Sequence, residues 1–245
     1  MPRLTTPLLI ALGCIGLAAQ AAFSQEKVPV RSPGVHNEAF RRTDGPVVPY
    51  AIWIPADYSP EKAVPLILAL HFGGEPRGAG RSMLQLLIRP ALADLGAVVV
   101  APDSIAGRWN SPQNEDAVNA LLAAIERSYS IDPKRVAVMG FSMGGAGTWY
   151  WADKYPDRFS AAIPLAGSPT GLVANWRVPV FAIHSRDDQV VPIGPTIQRI
   201  AELKAKGVNA RLLEVQGISH YETNRFAAPL REAVPWLKEV WRSSR

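Results

Sequence analysis

The chain is 245 residues long, 48% hydrophobic and 19% charged, a balance that suits one sizeable core and excludes an intrinsically disordered chain. Its net charge of +5 comes from Lys and Arg scattered singly or in pairs such as Arg41-Arg42. Without a basic stripe or a nucleic-acid-binding motif, no nucleic-acid partner is expected.

The N-terminus carries Arg3 and then an apolar run from Leu8 to Ala22, with no acidic residue before Glu26. Small residues at Ala19-Gln20-Ala21 and Ala22-Phe23-Ser24 complete the layout of an export signal over residues 1–24, cleaved after Ala21 or Ser24. The run is short for a bilayer span, which needs about 20 residues. Apolar residues continue past Cys14, which does not suit a lipoprotein signal. The expectation is an exported protein, periplasmic or extracellular, with no membrane span in the mature chain. Cys14 is the only cysteine, so the mature chain would have neither disulfides nor a cysteine nucleophile.

Residues 25–46 read as a polar, proline-containing entry segment, and 47–245 as a single domain. Val47 to Ile54 reads as a strand, and Val64 to His71 (VPLILALH) is a continuous apolar run typical of a strand buried on both faces. Ser82 to Leu95 has helical spacing, with Pro90 expected to kink or break it. Further strands are expected at Ala97 to Ala101, Arg135 to Gly140, Ala161 to Leu165, Val178 to His184 and Ala210 to Val215. Helices are expected at Glu115 to Tyr129, Gly144 to Tyr155, Ile193 to Lys206 and Phe226 to Trp241. Apolar strands alternating with helices imply an α/β fold, with a mostly parallel sheet covered on both faces.

Gly140-Phe141-Ser142-Met143-Gly144 lies directly between a strand and a helix, the context of a nucleophile elbow. There the serine occupies a sharp turn whose neighbours two residues away must be small, and Gly140 and Gly144 are. A serine hydroxyl needs a base, and the chain has four histidines. His36 precedes the expected domain, and His71 and His184 end buried strands where a ring can brace a loop. His220 follows the last strand, where the base of such a fold is expected. The acid that orients it is expected after the strand ending at His184: Asp188, because Val190-Val191-Pro192 should turn back into the fold and fix its carboxylate, with Asp187 as the alternative. Oxyanion donors are expected at the Met143 N–H and in the loop His71-Phe72-Gly73-Gly74, with Gly73 preferred and Phe72 the alternative. Trp109 and Trp149 are candidates to line the site, with core or surface packing as the alternative for each.

Leu-His-Phe-Gly-Gly, Gly-Phe-Ser-Met-Gly-Gly, Lys-Tyr-Pro-Asp-Arg-Phe, Pro-Leu-Ala-Gly-Ser and His-Ser-Arg-Asp-Asp-Gln-Val-Val-Pro together resemble the phospholipase/carboxylesterase-like branch of the α/β-hydrolases. The resemblance extends to its secreted polyhydroxybutyrate depolymerase-like and feruloyl-esterase-like group. It implies the α/β-hydrolase fold, here with segments too short for a large lid, and acyl transfer through Ser142, His220 and Asp188. Relatives usually read His-Gly-Gly where this chain has His71-Phe72-Gly73, so the resemblance leaves the second oxyanion donor open and implies an acyl pocket narrowed by Phe72. The implied substrate is a small, aryl or polymeric ester. No cofactor is expected, and no His/Cys cluster has metal-ligand spacing. A peptidase of the same fold and a non-catalytic binding protein that keeps only the fold are the alternatives.

Overall fold

The computed structural model describes residues 26–42 and 44–243, so the expected export signal lies outside the described residues. Eight strands form one sheet in the order β1-β2-β4-β3-β5-β6-β7-β8: β1 (Gly34–Phe40), β2 (Val48–Ile54), β3 (Val64–Leu70), β4 (Val98–Pro102), β5 (Ile131–Phe141), β6 (Ala161–Leu165), β7 (Val180–Ser185) and β8 (Ala210–Val215). The β1–β2 and β2–β4 pairs are antiparallel; every other pairing is parallel.

The central strands are apolar throughout because both faces are covered. Alternate residues of β3 serve opposite faces: Leu66, Leu68 and Leu70 enter one core, Ile67 and Ala69 the other. The first core is closed by α3 (Pro112–Ser128), α4 (Met143–Lys154) and α5 (Gly194–Ala205), the second by the helical stretch 79–95 and α6 (Ala227–Ser243). Helix α3 starts where Ser111 caps the Asn114 N–H at 3.3 Å, with Pro112 next, a favourable start because a first-turn N–H has no helical partner. Among the described residues no helix is long and apolar enough to cross a membrane.

One expectation is corrected. The sheet begins inside the supposed entry segment, because Gly34–Phe40 pairs along its length with β2. This edge strand is polar and half-exposed, so it lacks the apolar run that marks the central strands. His36 is therefore part of the sheet, its Nε2 2.9 Å from the Ser32 carbonyl oxygen. Of the kink or break expected at Pro90, the break does not occur: α1 (Ala79–Met83) runs through a π-helical turn, Leu84–Ile88, into α2 (Arg89–Leu92) and a 3₁₀ turn, Ala93–Leu95. Pro90 lies in the first turn of α2, where the missing N–H costs least, directly after the wider π turn.

Candidate active site

Ser142 lies at the C-terminal end of β5, where a parallel sheet presents ligand-binding loops. Its backbone is strained, with φ 55° and ψ −113°, a conformation a non-glycine residue holds only when its surroundings dictate it. The surroundings do so through backbone packing. A Cβ at Gly144 would fall 1.9 Å from the Leu70 carbonyl oxygen, one at Gly140 2.4 Å from the Gly144 carbonyl oxygen, and one at Gly145 2.3 Å from that of Leu165. The Ser142 N–H donates to the Leu165 carbonyl at 2.9 Å. Helix α4 begins at Met143, one residue earlier than expected, so the Met143 N–H has no carbonyl four residues back within the helix.

The fold brings three distant residues into line. Ser142 Oγ is 2.8 Å from His220 Nε2, and His220 Nδ1 is 2.7 Å from Asp188 Oδ2. Both His220 and Asp188 are buried. The imidazole lies against Phe141, ring centroids 5.3 Å apart, and Phe141 against Phe226, so the residue before the serine also backs the histidine. Asp188 Oδ1 accepts N–H bonds from Val190 at 2.9 Å and Val191 at 2.7 Å. The fixing of its carboxylate thus comes from backbone amides; the Val190 side chain is 45% exposed. Asp187 points elsewhere: its Oδ2 accepts the Gly217 N–H at 2.6 Å, which ties down the start of the loop carrying His220.

The two other strand-end histidines brace this arrangement. His184, buried, sits 3.0 Å from Thr196 Oγ1 and 2.9 Å from the Val191 carbonyl oxygen, and its Nε2 is 3.4 Å from Asp188 Oδ2. Burial holds its basicity below the ordinary histidine value, against the opposing pull of the Val191 carbonyl and Asp188. His71 is also buried, and burial likewise lowers its basicity against the Phe72 carbonyl and Asp103. A neutral ring suits its contacts: Nδ1–H donates to the Phe72 carbonyl at 2.6 Å, and Nε2 accepts the Ser104 N–H at 2.9 Å. In a trans peptide the C=O and N–H point opposite ways, so fixing the Phe72 carbonyl also fixes the Gly73 N–H on the far side of that plane. Gly73 lies near Met143, since a Cβ on it would be 3.9 Å from the Met143 Cβ.

Two cavities share Ser142 as a wall. One, about 550 Å³, is lined by Phe72, Gly73, Leu86, Phe141, His220 and Tyr221 among others. The second, about 410 Å³, includes Trp109, Met143, Tyr150, Ser168, Thr170 and Arg108. Phe72 is therefore beside the serine. Trp109 reaches the second cavity from a buried position and donates its indole N–H to the His71 carbonyl at 2.9 Å. Trp149 does not belong to the site: it is fully buried, bonded to the Gly167 carbonyl at 3.2 Å and packed on Trp176. Helical phase turns it into the core, information that a residue type does not carry. Sequence reading passed over Arg108, Leu86, Tyr150 and Tyr221, which come from loops and helix faces with no motif of their own. Among the described residues no group of three or more His, Cys, Asp or Glu is arranged to hold a metal ion.

Comparison with known proteins places this geometry in a family. A family model described as PET hydrolase-like matches residues 80–242. Cutinase 1 of Thermobifida cellulosilytica is 32% identical over 157 residues, covering 60% of this chain and 59% of that protein; the match thus spans about three fifths of the cutinase. Among solved structures, a thermostable esterase superposes with a TM-score of 0.73 at 24% identity, covering 84% of this chain and 62% of that one. A ferulic acid esterase superposes with a TM-score of 0.69 at 18% identity, covering 86% and 99%. The fold is that of the α/β-hydrolases, and the chain belongs to the PET hydrolase-like family.

Proposed function

We propose that the protein is an exported serine hydrolase of carboxylic esters, working through an acyl-enzyme on Ser142 with His220 as base and Asp188 as its orienting acid. The observation that carries this reading is the pair of short contacts running from Ser142 Oγ through the His220 ring to Asp188 Oδ2. Ser142 Oγ attacks the ester carbonyl carbon while its proton passes to His220 Nε2, and the carbonyl oxygen becomes an oxyanion. The N–H groups of Met143 and Gly73 receive that charge; one such donor is typically worth about 10²–10³ in rate. The tetrahedral adduct collapses, the C–O bond to the alcohol breaks, and the alcohol leaves with the proton held by His220. Water then attacks the acyl-enzyme, gives its proton to the same nitrogen, and the carboxylic acid departs as Ser142 regains its hydrogen. Asp188 keeps Nδ1–H directed at itself, so that Nε2 is left to accept.

The curated relatives supporting this reading include cutinases, enzymes named for an ester polymer, and a bifunctional acetylxylan esterase/xylanase. Export rests on the signal-like residues 1–24, and N-terminal sequencing of secreted protein is expected to start after Ala21 or Ser24. A panel of 4-nitrophenyl esters of increasing chain length tests the activity. Turnover is expected with the wild type and none above background with Ser142→Ala. Cleavage of peptides without cleavage of any ester would instead indicate a peptidase, and failure of a fluorophosphonate to label Ser142 a non-catalytic protein.

A further inference from the structure

The two cavities that meet at Ser142 differ in chemistry. The one lined by His220 is walled by Phe72, Leu86, Phe141, Val190 and Tyr221, with Thr223 and Asn224, and no Asp, Glu, Lys or Arg lines it. The second has apolar walls too, from Trp109, Met143, Ala146 and Val191, but adds Arg108, Asn110, Tyr150 and Ser168 around the start of α4. Among the described residues the Arg108 guanidinium has no carboxylate partner, and no acidic residue lines this cavity. The carboxylate behind the cavity, Glu115, is already engaged, by the Tyr150 hydroxyl at 2.6 Å and by Lys154 Nζ at 2.7 Å. Asp153, which lies against Gly171 beyond Thr170, faces Arg199, whose guanidinium also binds the carbonyls of Thr170 and Gly171. The charge left over on this side of Ser142 is positive.

The chemistry fixes which half of an ester enters which cavity. The departing alcohol oxygen must reach His220 Nε2, so the aromatic cavity that His220 lines suits the alcohol half, and Phe72 narrows that side instead of the acyl pocket it was expected to narrow. The acyl half then runs the other way, past Met143. We infer that the second cavity is an acyl site for chains that end in a carboxylate, with Arg108 binding the remote anion and Asn110 supplying a polar contact. The preferred substrates are then half-esters of dicarboxylic acids, the fragments left when a polyester of such acids is cut. This inference rests on the ester-hydrolase reading and adds the identity of the acyl group.

The test compares mono-4-nitrophenyl adipate and suberate with their neutral isosteres, 4-nitrophenyl hexanoate and octanoate. The expected result is a ratio of kcat/KM, carboxylate-tailed over neutral, above one in the wild type. In Arg108→Gln that ratio falls about tenfold, the size of one charge-assisted hydrogen bond, and the loss appears mainly in KM because the remote anion is bound equally in ground and transition states. Arg108→Lys keeps part of the ratio, and raised salt lowers it in the wild type. A ratio at or below one, or one that Arg108→Gln leaves unmoved, overturns the assignment. If none of the four esters is cleaved, the ester-hydrolase reading has failed, and calorimetric titration of suberate into Ser142→Ala decides the anion site by itself. Binding weakened by adding Arg108→Gln supports the site; absence of binding overturns it.

Discussion

The turn between β5 and α4 and the loop after β3 meet at Ser142, yet they are held by different means. In the turn, backbone presses on backbone: Gly140, Gly144 and Gly145 leave no room for a methyl group, and Ser142 is driven to a positive φ. In the loop, side chains hold the backbone from behind. The His71 ring pins the Phe72 carbonyl, Ser104 pins the ring, and the Trp109 indole pins the His71 carbonyl. The first device is steric and allows one conformation. The second is a hydrogen-bonded network, whose members are buried and interdependent. Ser142 is thereby fixed by the fold itself, while the Gly73 N–H, the proposed second oxyanion donor, depends on a neutral histidine and its neighbours.

This contrast has measurable consequences. The largest is expected for Gly144→Ala, whose new methyl would lie 1.9 Å from the Leu70 carbonyl oxygen. Backbone on both sides blocks relief, so a loss of stability of about 4 kcal/mol or more is expected in denaturant unfolding. A Gly144→Ala variant as stable as the wild type would show that the turn is not sterically fixed. Next comes His71→Ala in the loop. The protein should still fold, but with the Gly73 N–H unpositioned kcat is expected to drop about 100-fold, the scale of one oxyanion donor, with KM little changed. A loss confined to KM would mean that His71 shapes binding and not the oxyanion.

The smallest effect separates the two devices by pH. Burial lowers the basicity of His71 and His184 in the folded protein below the ordinary value of 6.5. The unfolded chain therefore binds more protons than the folded one as pH drops through and below 6.5, and stability must decline in that direction. Above that value both rings are neutral in either state and their contribution is fully present. Unfolding midpoints measured from pH 7.5 to 5 should fall in the wild type and fall less steeply in His71→Ala. Equal slopes would remove the neutral-histidine requirement from the loop.

The α/β alternation, the elbow and the order Ser142, Asp188, His220 were legible in the chain because each rests on local sequence: apolar runs long enough for buried strands, glycines flanking a serine, a histidine after the last strand. The choice of Asp188 over Asp187 was argued from the valines that follow, and the geometry brings Asp188 to His220 through the amides of those same residues. Strand β1 was not legible, since a polar edge strand is specified by its partner β2 and carries no apolar run of its own. For Trp149 the residue type left both a site wall and core packing open, and helical phase decides which way it faces.

By itself, then, the sequence determined the buried strands of the sheet, the sharp turn and the candidate nucleophile, since these follow from hydrophobic periodicity and from steric limits within a few residues. Only the tertiary structure decided what surrounds the serine. His71, which precedes Phe72 in the chain, holds the Phe72 carbonyl only because Ser104 and Trp109, from the loop after β4, lock its ring and its own carbonyl in place. An unpaired arginine from that same loop faces one cavity while Phe72 and Tyr221 wall the other. Such contacts join residues tens of positions apart, and no local pattern encodes them; they exist because the parallel sheet delivers every one of these loops to the same edge.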